Sequence, residues 1–279
     1  MNLFSKPSAW APPGTALITG ASSGIGAAFA RRLAREGYSL ILHGRREELL
    51  AGLCRELRAA HPVAADYLLA ELAREEDVLR VQERVLTTPD LRLLVNNAGM
   101  GTVKFFHEDE VGQHLDLVLV HVLATLRLTH AAIQNMIAHG GGAIINVSSV
   151  AAFLVTPGNA TYCASKLFLN SFTESLDLEL RDRGIRLQAL CPGFTTTDFH
   201  GRIGMTIHPS LRRHFMSAER VVETSLRDLS RGRVVSIPGR RNRFAAFVAR
   251  SLPRPVWYAL VRRYTAKGRR LRGIVDGED

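Results

Sequence analysis

The chain has 279 residues, 46% of them hydrophobic, which is enough for one large α/β domain with a sizeable core and too apolar for a disordered protein. Its formal net charge of +10 is concentrated: Arg231 to Arg272 holds thirteen Lys/Arg and no Asp/Glu, leaving 23 basic and 26 acidic groups elsewhere. No stretch matches a nucleic-acid-binding motif, and Cys54, Cys163 and Cys191 have neither disulfide nor metal-ligand spacing, so no metal site and a reducing, cytoplasmic compartment are expected.

Residues 1–13 form an N-terminal extension with one lysine and no long apolar run, unlike a secretory signal. Thr15 to Thr19 then reads as a short apolar strand. It enters Gly20-Ala-Ser22-Ser23-Gly24-Ile25-Gly26, and a helix follows with Ile25, Ala28, Phe29 and Leu33 on one face. Glycines between a strand and a helix let the backbone turn tightly and approach a pyrophosphate, which rests on the helix amino terminus. Ser39 to His43 is a second strand, ending in Gly44-Arg45-Arg46 without a carboxylate. An acidic residue there is the usual ligand of NAD ribose hydroxyls. Its absence, with Arg45 present, points to NADP(H), NAD being the less favoured cofactor; the bland alternative is that Arg45 and Arg46 solvate a helix start.

Val63 to Leu69 reads as a weaker strand before Glu71-Leu72, and Val78, Val81 and Val85 mark the next helix. Leu91 to Val95 is a strand running into Asn96-Asn97-Ala98-Gly99. Leu115 to His139 reads as a long helix, apolar nearly all round and therefore buried on two sides. Asp116, His121, Arg127 and His130 interrupt its most apolar part, which argues against a membrane span. Ala143 to Val147 is a buried strand, so Ser149 falls at a strand's carboxyl end, where open α/β sheets bind ligands.

Tyr162 and Lys166 are four residues apart and share a helix face. A lysine ammonium beside the phenol would draw its pKa below the usual value of about 10 and let it pass protons near neutrality. Ile185 to Leu190 is a strand leading to Cys191-Pro192-Gly193-Phe194-Thr195-Thr196-Thr197. Residues 198–215 show little pattern. Ser217 caps a helix ending near Leu229, and Val234 to Pro238 is the last strand.

The order of the glycine-rich turn, Asn96–Gly99 and Ser149–Tyr162–Lys166 resembles the short-chain dehydrogenase/reductase family over roughly residues 14–240. The resemblance implies a single Rossmann-type domain, a doubly wound parallel α/β sheet, with a lid at about 198–215. It also implies an oxidoreductase moving a hydride between the nicotinamide and a carbonyl or alcohol carbon. Catalysis would fall to Ser149, Tyr162 and Lys166. Cofactor contacts would come from Gly20, Ser22, Ser23, Gly24, Ile25, Gly26, Arg45, Glu71, Leu72, Asn97, Ala98 and Gly99, with Asn96 beside them. Tyr162, Lys166, Pro192, Gly193, Thr195 and Thr197 would complete that set. The long helix and the one carrying Tyr162 would form a homodimer or homotetramer interface.

The family usually places an asparagine in the long helix, holding a water in a proton relay; here His121 stands at that place. It reads either as a buried neutral histidine or as a relay member titrating near about 6.5. Ser149, Phe153, Phe194 and Phe199, with Leu154 and Val155, suggest an apolar substrate pocket for a lipophilic ketone or alcohol. A binding or scaffold protein without turnover is the alternative of another class. Residues 241–279 form a basic extension with two amphipathic patterns, Phe244/Phe247/Val248/Ser251 and Trp257/Leu260/Val261/Tyr264, separated by Pro253 and Pro255. Such helices suit an anionic membrane surface or a packed lid or subunit interface.

Overall fold

A computed structural model describes residues 13–102, 104–197 and 215–263. The strands β1 (Thr15–Ile18), β2 (Ser39–Gly44), β3 (Ala65–Leu69), β4 (Leu91–Asn96), β5 (Gly142–Val147) and β6 (Ile185–Leu190) alternate with helices. These helices are α1 (Gly24–Arg35), α2 (Glu47–Ala60), α3 (Glu75–Thr87), α4 (Val111–Val118), α5 (Thr125–Ala138) and α6 (Ala160–Leu180). A short pair, β7 (Thr195–Thr196) and β8 (Met216–Ser217), precedes α7 (Ala218–Ser230), β9 (Val235–Ser236) and α8 (Arg240–Ser251). Residues 254–263 are helical again.

Seven strands pair in the order β3-β2-β1-β4-β5-β6-β9, every pair parallel. Helices cover both faces, so each strand is apolar almost throughout instead of alternating with polar residues. Side chains still alternate between the two cores. Ile18, Leu40, Leu42, Leu93 and Val95 pack with α1, α2 and α7, while Leu17, Ile41, Leu94, Ile144 and Leu187 pack with α3 and α5. Each such side chain contributes about 1.5–3 kcal/mol by leaving water. The fold is the expected doubly wound sheet.

Several element bounds differ from the sequence reading. The third strand begins at Ala65, because the Val63 N–H already turns back onto the His61 carbonyl. The last strand is two residues long; it makes two rungs with β6, and Pro238 has no N–H to extend the ladder. The long helix starts at Val111 and carries a π-helical turn at Leu119–Ala124. One stripe of it, Leu117, Val120, Ala124, Leu128 and Met136, is buried, whereas Leu115, Leu123, Leu126 and Ile137 are exposed. Burial on two sides is therefore not met within one chain. By length and composition Val111–Ala138 passes as a membrane span, yet half of that apolar stretch lies inside the protein, as in a core helix.

Candidate active site

Between β2 and β4 the strand order passes through β1 and reverses direction. Connections on the two sides diverge at such a point and leave a crevice at the strands' carboxyl ends. Here it is a cleft of about 500 Å³. Gly20 and Gly24 turn with φ of +65° and +57°, the left-handed region that favours glycine. A Cβ on Gly20 would also lie 2.9 Å from the Ala98 backbone. The glycine-rich turn and the Asn97–Ala98 turn are locked together through Thr19. Its Oγ1 accepts the N–H groups of Asn97 and Ala98, both at 2.9 Å. Asn97 Nδ2 donates to the Thr19 and Gly20 carbonyls at 2.9 and 3.1 Å.

The nucleotide end of the cleft is rich in donors. The amino terminus of α1 opens into it through Gly24 and Ile25, where N–H groups lack intrahelical partners and the helix dipole is positive. Arg46 Nη2 reaches across to Ser22 Oγ at 2.9 Å and Ser23 Oγ at 2.8 Å. Arg45, two-thirds exposed, instead pairs with Glu71 at 2.7 Å. Serine hydroxyls, two guanidinium groups and a helix amino terminus make a donor set that fits phosphate groups.

Ser149, Tyr162 and Lys166 meet at the other end of the cleft. Ser149 caps the 3₁₀ turn Val150–Phe153, its Oγ accepting the Ala151 N–H at 3.1 Å, and it hydrogen-bonds the Tyr162 side chain. The helix α6 begins two residues before Tyr162. One turn later Lys166 lies 5.6 Å from the ring centroid, its Nζ donating to the Val147 carbonyl at 2.9 Å. Burial pushes Tyr162 up to about 12, against the opposing effect of the Ser149 hydrogen bond. Burial likewise brings Lys166 down to about 7. The expected depression of the tyrosine by a fully charged lysine is thus reversed. Loss of water is the largest influence on both groups, and an amine near its own pKa supplies less than a full charge.

His121, on the π turn, is 1% exposed. Its Nε2 accepts the Met100 N–H at 3.0 Å, and Nδ1 faces Ser165 Oγ at 2.9 Å. Burial first, then the nearby Lys166 charge, holds it well below the usual 6.5. Of its two sequence readings, that of a buried neutral histidine is the one this burial favours.

Residues 14–207 match the model of the short chain dehydrogenase family. The chain is a short-chain dehydrogenase/reductase. It is 38% identical over 189 residues to a sulfoacetaldehyde reductase of Chromohalobacter salexigens, covering 65% of this chain and 72% of that one. A short-chain dehydrogenase from Sphingobium yanoikuyae in complex with NADPH superimposes with a TM-score of 0.77 at 31% identity, over 96% of each chain. A bulky-bulky ketone specific alcohol dehydrogenase from Comamonas testosteroni gives 0.73 at 29% identity, again over 96% of each. This short-chain dehydrogenase/reductase is accordingly an oxidoreductase acting on CH–OH or C=O groups.

Most residues assigned from sequence line the cleft of this enzyme. Gly20, Ser22, Ser23, Gly24 and Ile25 form one wall, and Arg45, Glu71 and Leu72 the rim. Asn97, Ala98, Gly99, Pro192, Gly193, Phe194, Thr195 and Thr197 complete it beside Ser149, Tyr162 and Lys166. Four do not line it, one being the exposed Val155. Gly26 packs inward, where a Cβ would stand 2.4 Å from the Gly20 carbonyl. Asn96 turns into the core, donating to Asn146 Oδ1 and Thr129 Oγ1 at 2.9 and 3.1 Å. Phe153 points away, its ring 5.7 Å beneath the Arg250 guanidinium. Phe199 and nearly all of the lid lie outside the described residues. Arg46, His43, Met100 and Asn159 line the cleft without having been singled out as ligands; for Arg46 the signal was its place beside Arg45.

Proposed function

We propose that this chain is an NADPH-dependent reductase of bulky, largely apolar ketones or aldehydes. The observation that carries the reading is one cleft with Ser149, Tyr162 and Lys166 converging at one end and a donor-rich set around Arg46 at the other. When bound, the nicotinamide supplies the hydride. Tyr162, protonated at neutral pH, donates its phenolic proton to the substrate oxygen as negative charge builds there. Ser149 holds that oxygen by a hydrogen bond and stabilises the developing charge. Lys166 keeps positive potential beside the phenol and orients the cofactor ribose. Val150, Leu154, Phe194 and Met100 along the cleft support an apolar substrate. Phe194 is stacked on Phe215 at 5.2 Å, which gives the wall an aromatic edge.

The Arg45–Glu71 pair favours a second reading, an NAD-dependent dehydrogenase, because a carboxylate already occupies the guanidinium at the rim. Titration of the protein with NADPH and NADH, for wild type, Arg45→Ala and Arg46→Ala, decides between them. Preferential NADPH binding that drops about tenfold or more in Arg46→Ala fits the proposal. Equal affinities support the NAD reading, no binding of either cofactor counts against the proposal as a whole, and binding without turnover of any carbonyl or alcohol supports an NADP-binding scaffold. A carbonyl panel then tests the substrate class.

The exposed apolar residues Leu115, Leu123 and Leu126, with Leu167 on α6, support a homodimer through these helices. The exposed Phe244 and Phe247 of α8, beside Arg240, Arg241 and Arg243, support contact with an anionic bilayer. Co-sedimentation with anionic vesicles, lost in a Phe244→Ser/Phe247→Ser variant, tests that contact.

A further inference from the structure

His121 is buried between the turn at Ala98–Met100 and the catalytic helix α6, and its hydrogen bonds determine where its proton sits. The Met100 amide can only donate, so Nε2, at 3.0 Å, must present a lone pair. Ser165 Oγ has one proton, which goes to the Tyr162 carbonyl at 2.8 Å. Toward His121 Nδ1, at 2.9 Å, that hydroxyl is left to accept, so Nδ1 must carry the hydrogen. Two independent partners therefore demand the same neutral Nδ1–H tautomer. A second ring proton would set one N–H against another at Met100.

Packing points the same way. The ring stands edge-on to Tyr162, centroids 5.8 Å apart at 68°. A Cβ on Gly99 would lie 2.9 Å from Nε2 and 3.8 Å from Lys166 Nζ, so the turn approaches both side chains closely. The titratable groups facing the imidazole, Lys166 and Tyr162, both come from α6; Ala98, Gly99 and Met100 contribute none. The π turn at Leu119–Ala124 carries His121 into this gap, a use of widened helical turns common at functional sites.

We propose that His121 is a positioning residue: a neutral brace of fixed tautomer that ties the Ala98–Met100 turn to the helix bearing Tyr162 and Lys166, and that does not carry protons in the reaction. This rests on the proposed reading of the cleft as the cofactor and reaction site. In chemical terms, the brace sets the separation between the turn beside the cofactor and the proton donor.

The direct test is nitrogen-15 NMR of the full-length protein labelled at histidine, recorded from pH 5.5 to 8. The expected result is one unchanging signal pair for His121, with Nδ1 protonated and Nε2 bare. An imidazolium, or the Nε2–H tautomer, overturns the proposal. This readout needs no turnover, so it is decided separately from the cofactor assignment, which fails only if neither NADPH nor NADH binds wild type.

Kinetics supply the second test. His121→Phe keeps the ring but removes both bonds and strands the Met100 N–H. It is expected to weaken NADPH binding and lower kcat by about tenfold each with the shape of the pH–rate profile unchanged. His121→Gln offers one acceptor and one donor and is expected to recover most of both losses. A wild-type limb between pH 5.5 and 7 that vanishes in both variants would make His121 a relay. A folded His121→Phe with unaltered NADPH affinity and kcat would remove the positioning role.

Discussion

Lys166 is a long cationic side chain held 5% exposed, and burial lowers its pKa from 10.5 to about 7. The unfolded chain thus binds a proton that the folded one resists. Between pH 10.5 and 7 this coupling removes stability as pH falls, and below 7 the penalty is complete. Lys166→Met should stabilise the cofactor-free protein at pH 6 by roughly 1–4 kcal/mol, the range seen when buried charged groups give way to matched apolar ones, while carbonyl reduction is lost. Urea denaturation at pH 6 checks it, and a less stable variant contradicts this account. Tyr162 implies a further asymmetry. With a pKa near 12 it is protonated across the neutral range, the state a proton donor needs. Tyr162 itself should therefore add no limb to reduction from pH 6 to 9, any decline above about 7 belonging to Lys166 as it loses its charge, whereas alcohol oxidation, which needs the phenolate, should rise with pH there. Rates measured in both directions across that range test the asymmetry; parallel profiles would assign proton transfer to another group.

At the scale of elements, α8 is seated on the turn that carries Ser149. Arg250 lies over Phe153, Trp257 Nε1 donates to the Val155 carbonyl at 3.2 Å, and Asn242 packs where a Cβ on Gly193 would stand 2.5 Å away. Residues 242–257 of the basic extension thus brace the outer side of the Ser149–Val155 segment and of Gly193 without themselves lining the cleft. Trp257→Phe combined with Arg250→Ala should raise the KM for the carbonyl substrate several-fold, about 1 kcal/mol of lost cation–π and hydrogen-bond support. NADPH affinity should hold, because the nucleotide end is built from other elements; equal losses in both would contradict this division. The glycine-rich turn and the Tyr162–Lys166 pair were legible because each is set by local spacing, and the doubly wound parallel sheet followed from the family resemblance these motifs carry. The aim of Arg46, the turning away of Phe153 and the inversion of the Tyr162 pKa were not. They depend on which side chains from distant strands crowd the same space, and a one-dimensional pattern does not encode the loss of water there. The π turn escaped for a related reason: a helix apolar on every side has the same periodicity with or without a widened turn.

Across the whole molecule, a doubly covered parallel sheet leaves polar residues inside, and each must be neutral or paired. Asn96, Asn146 and Thr173 link through hydrogen bonds between strands and α6, although Asn96 Oδ1 is buried without a partner. His43, at the end of β2, is less well served. Its Nε2 meets the Ala70 carbonyl at 3.1 Å, but Nδ1 is buried without a hydrogen-bond partner. Burial lowers it from 6.5 to about 4, while the Ala70 hydrogen bond, Glu71 and Asp77 oppose the shift and Arg45 adds to it. His121 is shifted the same way. Between pH 6.5 and 4 the unfolded chain binds protons at His43 that the folded chain refuses, so stability must fall with pH across that window. The loss at His43 amounts to about 3 kcal/mol at pH 4, and His121 adds to it. Chemical denaturation at half-unit steps from pH 7.5 to 4 should show the decline, and His43→Gln should flatten part of the slope. Since His43 borders the nucleotide end of the cleft, the same substitution should leave the shape of the pH–rate profile of reduction unchanged. A decline of equal steepness in His43→Gln would place the acid sensitivity in the carboxylates instead.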